Sequence, residues 1–227
     1  MRTAVGAMSL MLLTAGLGAA QDGAAILAKI DAAAQARYEH VLGFSDTERY
    51  AVFRDADQTT PAAEMTVRVT YRKGVGKSYK VLSQSGSGLI QHFGLKPLLE
   101  NEQEINDPAK VAESWFTTAN YEMHVEPGQT RALEGRTCVG VAIKPKRKAP
   151  NMIDGTLWVD PANGAILEVD GIASKSPNVF AGTTHMLRDY AMMDGYAMAT
   201  KARAESIGLF GRTVVTIAYS DYRFEMR

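Results

Sequence analysis

Residues 155–171, GTLWVDPANGAILEVDG, constrain the fold more than any other stretch of the chain. Leu157 and Val159 occupy alternate positions, and Leu167 and Val169 repeat this spacing after a short break. A period of two residues is typical of strands with one buried face and does not fit a helix. The break reads DPANG, in which Pro fixes a negative φ and Asn-Gly accepts a positive φ at low cost. The stretch therefore predicts a β-hairpin.

The rest of the chain places helices around further strands. Residues 22–38 are rich in Ala, Ile and Leu and predict an amphipathic helix. Strand-like alternation follows, most clearly over residues 65–71, where Met, Val and Tyr alternate with Thr and Arg. Residues 89–99 change to near-helical spacing, and alternation returns after residue 121. Because strands joined by short turns pair antiparallel, we expect an α+β fold with a long curved antiparallel sheet and helices on its concave face.

The first twenty residues have the layout of a signal peptide. Arg2 provides a positive start, residues 4–17 are apolar and uncharged, and Gly-Ala-Ala precedes Gln21. The apolar run is short for a membrane span. We therefore expect residues 1–20 to be removed on export and residues 21–227 to form a single domain in the periplasm or outside the cell.

Composition limits the classes of partner and chemistry. The chain carries 25 basic and 25 acidic residues, which makes nucleic acid an unexpected partner. Cys138 is its only cysteine, so no intrachain disulfide can form. The four histidines are far apart in sequence, and no nucleophile elbow, phosphate loop or metal-ligand spacing is present. We therefore expect a protein that is not an enzyme, with no catalytic residue, no metal and no cofactor.

Three features together resemble the outer-membrane lipoprotein carrier (LolA/LolB-like) superfamily. They are the signal peptide leading into an amphipathic helix, the helical interruption within the sheet, and the LWVD…G…IL hairpin of residues 157–167. The closing TIAYSDY, residues 216–222, is similar to the last strand of this group. The resemblance implies an incomplete β-barrel whose hydrophobic cavity receives acyl chains under a helical lid. It also implies a basic residue that gates the lid, which the sequence does not identify.

The resemblance assigns roles to two sets of apolar residues, since a dry concave sheet under a movable apolar lid can hold acyl chains without a catalytic group. The expected cavity wall comprises Met65, Val67, Val69, Tyr71, Tyr79, Val81, Leu157, Val159, Leu167 and Val169. The expected lid comprises Leu89, Ile90, Phe93, Leu95, Leu98 and Leu99, with glycines at 86, 88 and 94 allowing movement. Each of these residues also fits an ordinary hydrophobic core.

Two orientations can be predicted at single positions. Phe93 and Leu98 should face the concave sheet, because their neighbours Gln91, Lys96 and Glu100 are polar. Trp158 should lie on the convex side, because Leu157 and Val159 point into the interior.

Three functions remain open from the sequence. The first is a monomeric carrier or binding protein for lipid or lipoprotein acyl chains, with transient membrane contact. The second is a regulatory or sensory envelope module of the same fold, which would bind a protein partner through an exposed apolar patch. The third is a secreted hydrolase, which would gather perturbed carboxylates or histidines in a cleft.

Overall fold

A computed structural model describes residues 12–55, 57–176, 182–208 and 211–227, with side chains from Asp22 onward. Within these residues, ten strands form one antiparallel sheet in the order β3-β2-β1-β10-β9-β8-β7-β6-β5-β4. The two ends of the order, β3 and β4, do not pair with each other, so the curved sheet is an open barrel. This is the predicted α+β architecture.

The helices and strands have the following bounds. The helices are α1 (Leu12–His40), α2 (Gly88–Ile90) and α3 (Lys96–Ile105), with a π-helical turn (Gln91–Leu95) and a 3-10 turn (Val111–Ser114). The strands are β1 (Val41–Arg54), β2 (Ala63–Arg72), β3 (Gly76–Gly86), β4 (Tyr121–Leu133), β5 (Arg136–Pro145), β6 (Ile153–Val159), β7 (Ile166–Ala173), β8 (Thr183–Met193), β9 (Tyr196–Gly208) and β10 (Gly211–Met226).

The first helix begins at Leu12, before the predicted start at residue 22. Residues 1–11 of the predicted signal peptide lie outside the described residues, so its removal stays a prediction. In the described part of the chain, no helix combines the length and apolar character needed to cross a membrane.

The predicted hairpin is formed by β6 and β7, and its turn contacts α1. Gly164 has a φ of +75°, and a Cβ placed there would lie 2.3 Å from the backbone of Lys29. The ammonium group of Lys29 donates a 2.7 Å hydrogen bond to the carbonyl of Pro161. The DPANG turn therefore fixes α1 against one half of the sheet, and glycine is required where the two backbones meet.

The second helical cover consists of α2, the π-helical turn and α3, residues 88–105, and is called the lid below. Its first turn is capped by the Ser87 hydroxyl, which accepts a bond from the Ile90 amide. The side-chain amide of Gln91 donates bonds of 2.7 Å to the carbonyls of both Glu64 and Ser85. Gly86, with a φ of +84°, packs so closely that a Cβ would lie 2.4 Å from the Ala62 carbonyl oxygen. The start of the lid is therefore anchored to β2 and β3, and Gly86 is a packing requirement where the sequence predicted a flexible joint.

Candidate functional site

The lid covers an apolar floor made by β1, β2 and β10. Leu95 and Leu99, one helical turn apart, are buried against this floor, where they meet Tyr50, Val67 and Ile217. Ile90 and Leu98 pack around the same cluster. The lid side chains therefore fill the space that the resemblance assigns to acyl chains.

A second apolar region lies under α1. Ile30 is buried there with Leu157, Val159 and Val169, and Ile26 and Leu27 pack beside it. Trp158 lies on the opposite face of β6, where the guanidinium of Arg131 stands 5.6 Å from the centre of its ring. The predicted orientations of Leu157, Val159 and Trp158 are confirmed.

The predicted wall residues fall into separate groups. Met65, Val67 and Val69 are buried under the lid, with Tyr79 beside them, whereas the hairpin residues lie under α1. Tyr71 packs with a third cluster around Phe44, Val41 and Met198. Leu167 is buried, but Val81, on the edge strand β3, is 47% exposed. Their role in ligand binding stays a prediction.

The lid presents a different face from the one predicted. Leu89 is 72% exposed and Phe93 is 73% exposed, so the prediction that Phe93 faces the sheet is wrong. Phe93 precedes the buried Leu95 by two residues in the π-helical turn, which is about half a turn and points the two side chains to opposite sides. The polar residues beside Phe93 therefore do not indicate which side of the helix faces the sheet. Leu98 packs on the floor as predicted.

The concave face also carries a strip of charge, which the expectation of a dry apolar sheet did not include. Glu48 is buried in this strip, and Lys77 and Glu102 are partly buried. The ammonium group of Lys77 lies 3.3 Å from a carboxylate oxygen of Glu102 and 3.7 Å from one of Glu48. Glu102 belongs to the lid, and Glu48 and Lys77 belong to the sheet. The phenol of Tyr50 donates a hydrogen bond to the other oxygen of Glu48. We call the Lys77–Glu102 pair the latch.

The charges in this strip stabilise one another. Burial alone would lower the pKa of Lys77, but the carboxylates of Glu102 and Glu48 outweigh it and raise that pKa. Burial would raise the pKa of Glu102, but Lys77 and then Arg188 outweigh it and lower that pKa. The latch is therefore a charged pair at neutral pH, and it joins the lid to the sheet inside the protein.

Asp46 lies on the same face of β1 as Glu48 and is completely buried. Among the described residues, neither of its carboxylate oxygens has a hydrogen-bond partner. Desolvation and then the charge of Glu48 raise the pKa of Asp46 to about 7. A buried carboxyl group without a donor is costly, so this position calls for a functional explanation.

Sequence reasoning missed this strip, although the alternation contained a signal for it. Glu48 is two residues from Tyr50 in β1, and Lys77 is two residues from Tyr79 in β3, so each shares a face with an inward-facing aromatic residue. Glu102 follows Leu95 and Leu99 at helical spacing. Residue type alone favours solvent for these charged side chains, whereas their positions in the alternation favour the inner face.

Two open clefts lie along β8, β9 and β10, and the second includes Ile217 of the floor. One, of about 400 Å³, lies between the β8–β9 turn and the end of β10 and is lined by residues that include Met193, Tyr222 and Phe224. The other, of about 310 Å³, is lined by β8, β9 and β10 residues that include Leu187 and Lys201. Within the described ranges, no group of three or more His, Cys, Asp or Glu side chains is arranged to hold a metal ion.

Comparisons with known proteins concern the fold. No protein-family model matches the chain, and no curated protein matches it. The chain is similar to a solved domain from Vibrio parahaemolyticus whose description assigns it to outer-membrane lipoprotein sorting, with 15% identity, 91% of this chain and 93% of that chain covered, and a TM-score of 0.50.

Two further solved structures align over similar lengths. A LolA superfamily protein from Nitrosomonas europaea is 12% identical to this chain, and the alignment covers 89% of this chain and 93% of that one with a TM-score of 0.46. A DUF1329 family protein from Desulfovibrio piger is 14% identical, and the alignment covers 88% of this chain and 93% of that one with a TM-score of 0.44. The open ten-stranded sheet with its helical covers shares its fold with the solved domain from Vibrio parahaemolyticus.

Proposed function

We propose that this protein is a periplasmic carrier or binding protein that holds lipid or lipoprotein acyl chains between the concave sheet and the lid. The observation that carries the proposal is the buried interface between Leu95 and Leu99 of the lid and the floor formed by β1, β2 and β10. If the lid lifts, this interface becomes an apolar groove. Each methylene that enters such a groove gains about 0.8 kcal/mol, so an acyl chain can replace the lid side chains.

The way the lid is attached supports such a movement. Gln91 anchors its start to the backbone of β2 and β3. Its far end is attached through Glu102, which meets Lys77 and the nearby charge of Arg188. Breaking the latch would release α3 while the anchored start acts as the pivot. Lys77 is thus our candidate for the basic residue that gates the lid.

The experiment compares two lid substitutions that each remove one negative charge. Glu102→Gln breaks the partly buried latch, whereas Glu100→Gln removes an exposed charge that lies 3.9 Å from Lys96 on the same helix. A closed lid competes with the ligand, so shifting the equilibrium toward the open form raises the apparent affinity. We expect Glu102→Gln to bind pyrene-labelled decanol up to about tenfold more tightly than wild type, and Glu100→Gln to match wild type.

Fluorescence titration gives both affinities, and circular dichroism checks that the variants are folded. Equal affinities in folded Glu102→Gln and Glu100→Gln proteins would argue against a latched lid. If none of the three proteins bound the probe, the carrier proposal would be wrong.

A second function, binding of an envelope protein partner, is favoured by one observation. Leu89 and Phe93 on the outer face of the lid, and Val81 and Leu82 on the edge strand β3, are all exposed apolar residues. Apolar patches of this kind mark interaction surfaces. Under this function, cross-linking in the periplasm would be lost in a Leu89→Asp/Phe93→Asp variant. It would be retained in Ile207→Asp, a control at a 70% exposed position on β9.

A further inference from the structure

We infer that the concave face binds the ammonium head group of an amphiphile, with the buried carboxylate of Asp46 as its acceptor. The inference rests on the proposed function, since the acyl or alkyl chain of the same ligand would lie under the lid. It adds the charge and hydrogen-bonding character of the ligand, which an apolar groove alone does not define.

The first argument is unsatisfied acceptors on one row of the sheet. Asp46 pairs with Val69 of β2, and Val69 pairs with Tyr79 of β3, so the three residues lie side by side on the floor. Within the described part of the chain, both carboxylate oxygens of Asp46 and the hydroxyl of Tyr79 are buried without a hydrogen-bond partner. A head group with several N–H donors would satisfy the carboxylate of Asp46.

The second argument is which of the charged groups already have a hydrogen-bond partner. Glu102 and Glu48 face Lys77, Glu48 also accepts from Tyr50, and Arg188 acts on Glu102. Lys77 and Arg68 act on Asp46 only through their charge, and among the described residues its carboxylate has no hydrogen-bond donor. A cationic head group would give this carboxylate its donor, whereas a fatty acid would add a fourth negative charge beside Asp46, Glu48 and Glu102.

The third argument is the aromatic surroundings. Phe44, two residues before Asp46 on the same face of β1, stacks on Tyr71 with 5.1 Å between ring centres. The ring of Tyr222 lies 5.9 Å from that of Phe44, and the hydroxyl of Tyr222 donates to the carbonyl of Ala199, not to Asp46. Aromatic faces attract ammonium groups and repel anions. A bare metal ion fits this environment poorly, because it needs more oxygen ligands than one carboxylate.

The test compares three ligands with the same ten-carbon chain, namely decylammonium, decanol and decanoate. Their affinities are measured at pH 8 by displacement of pyrene-labelled decanol. We expect wild type to bind decylammonium about tenfold more tightly than decanol, as one charge-assisted hydrogen bond provides, and decanoate most weakly. Asp46→Asn should reduce the preference for decylammonium over decanol to less than about twofold. Asp154→Asn, which changes an exposed aspartate on β6, should leave it unchanged.

The outcomes separate this inference from the proposed function. Decanol binding without a preference for decylammonium would support the carrier and overturn the head-group site. A preference that survives in folded Asp46→Asn would also overturn it. Failure of all three ligands to bind would overturn both, and the comparison of ligands on wild type does not depend on a variant folding.

Discussion

Asp46 has a predictable effect on stability as the pH changes. Its pKa rises from an ordinary 3.8 to about 7 in the folded protein, chiefly through burial. The folded state therefore holds the proton more tightly than the unfolded chain. The stabilising effect is complete below the unfolded pKa and is lost as the pH rises through the folded pKa, between about pH 4 and 7.

We therefore expect Asp46→Asn to be more stable than wild type at pH 8, by an amount of up to about 4 kcal/mol that shrinks toward pH 4. Urea unfolding followed by tryptophan fluorescence at several pH values gives the difference in free energy of unfolding. A difference that stays constant from pH 5 to pH 8 would mean that Asp46 does not titrate in this window. Asp154→Asn provides the control for the loss of an exposed aspartate.

Residue type and residue position disagree along β1 and β3, and this sets a limit on what the sequence can predict. Alternation places Phe44, Glu48 and Tyr50 on one face, and the structure buries all three. Residue type alone places Glu48 and Lys77 in water. Burial of the two charges is stabilised by Glu102, which arrives from a helix far along the chain. No local sequence pattern predicts that Glu102 and Lys77 form an ion pair.

At the scale of elements, the β6–β7 hairpin was the most predictable part of the fold. Its alternation, its turn and the two faces of its first strand are all present in the structure. The lid was less predictable because the π-helical turn and the anchoring of Gln91 set which face of a short, apolar segment meets the sheet. Leu89 and Phe93 are as apolar as Leu95 and Leu99, so composition cannot separate the two faces.

The two faces of the hairpin should respond differently to substitution. Trp158 is only half-buried beside Arg131, so Trp158→Ala should cost about 3 kcal/mol or less. Val159 is fully buried under α1, so Val159→Asp places an unpaired charge in the core and should cost more than Trp158→Ala. Urea unfolding measures both changes. A larger loss for Trp158→Ala would mean that the two faces are assigned the wrong way round.

At the scale of the whole molecule, two helical covers divide the concave face. α1 closes the half formed by β4 to β7, and the lid closes the half formed by β1, β2 and β10. The antiparallel order follows from the sequence, because short turns join strands that are neighbours along the chain. The pairing of β1 with β10 brings the first and last strands side by side, and hydrophobic alternation does not predict which strands pair over such a long sequence separation.

The contacts of α1 predict how much of the N-terminus the fold needs. Ile26, Leu27 and Ile30 pack against the sheet, and Asp31 accepts bonds from the amide and hydroxyl of Thr118. A protein containing residues 21–227, the chain expected after signal-peptide removal, retains all of these contacts. We expect it to match the full chain in thermal stability. A protein containing residues 32–227 loses the three apolar anchors and Asp31, and should be less stable by at least about 3 kcal/mol.

Thermal unfolding of the three proteins compares their stability, and N-terminal sequencing of periplasmic material identifies the natural start. A clear loss of stability in the protein of residues 21–227 would show that residues before Gln21 belong to the fold. Sequencing that began at Met1 would contradict removal of residues 1–20. Equal stability together with a sequence that begins at Gln21 would mean that the part of α1 from Asp22 onward supplies the contacts that the sheet needs. Among the side chains that the structure describes, Ile26, Leu27 and Ile30 pack α1 against β4 to β7.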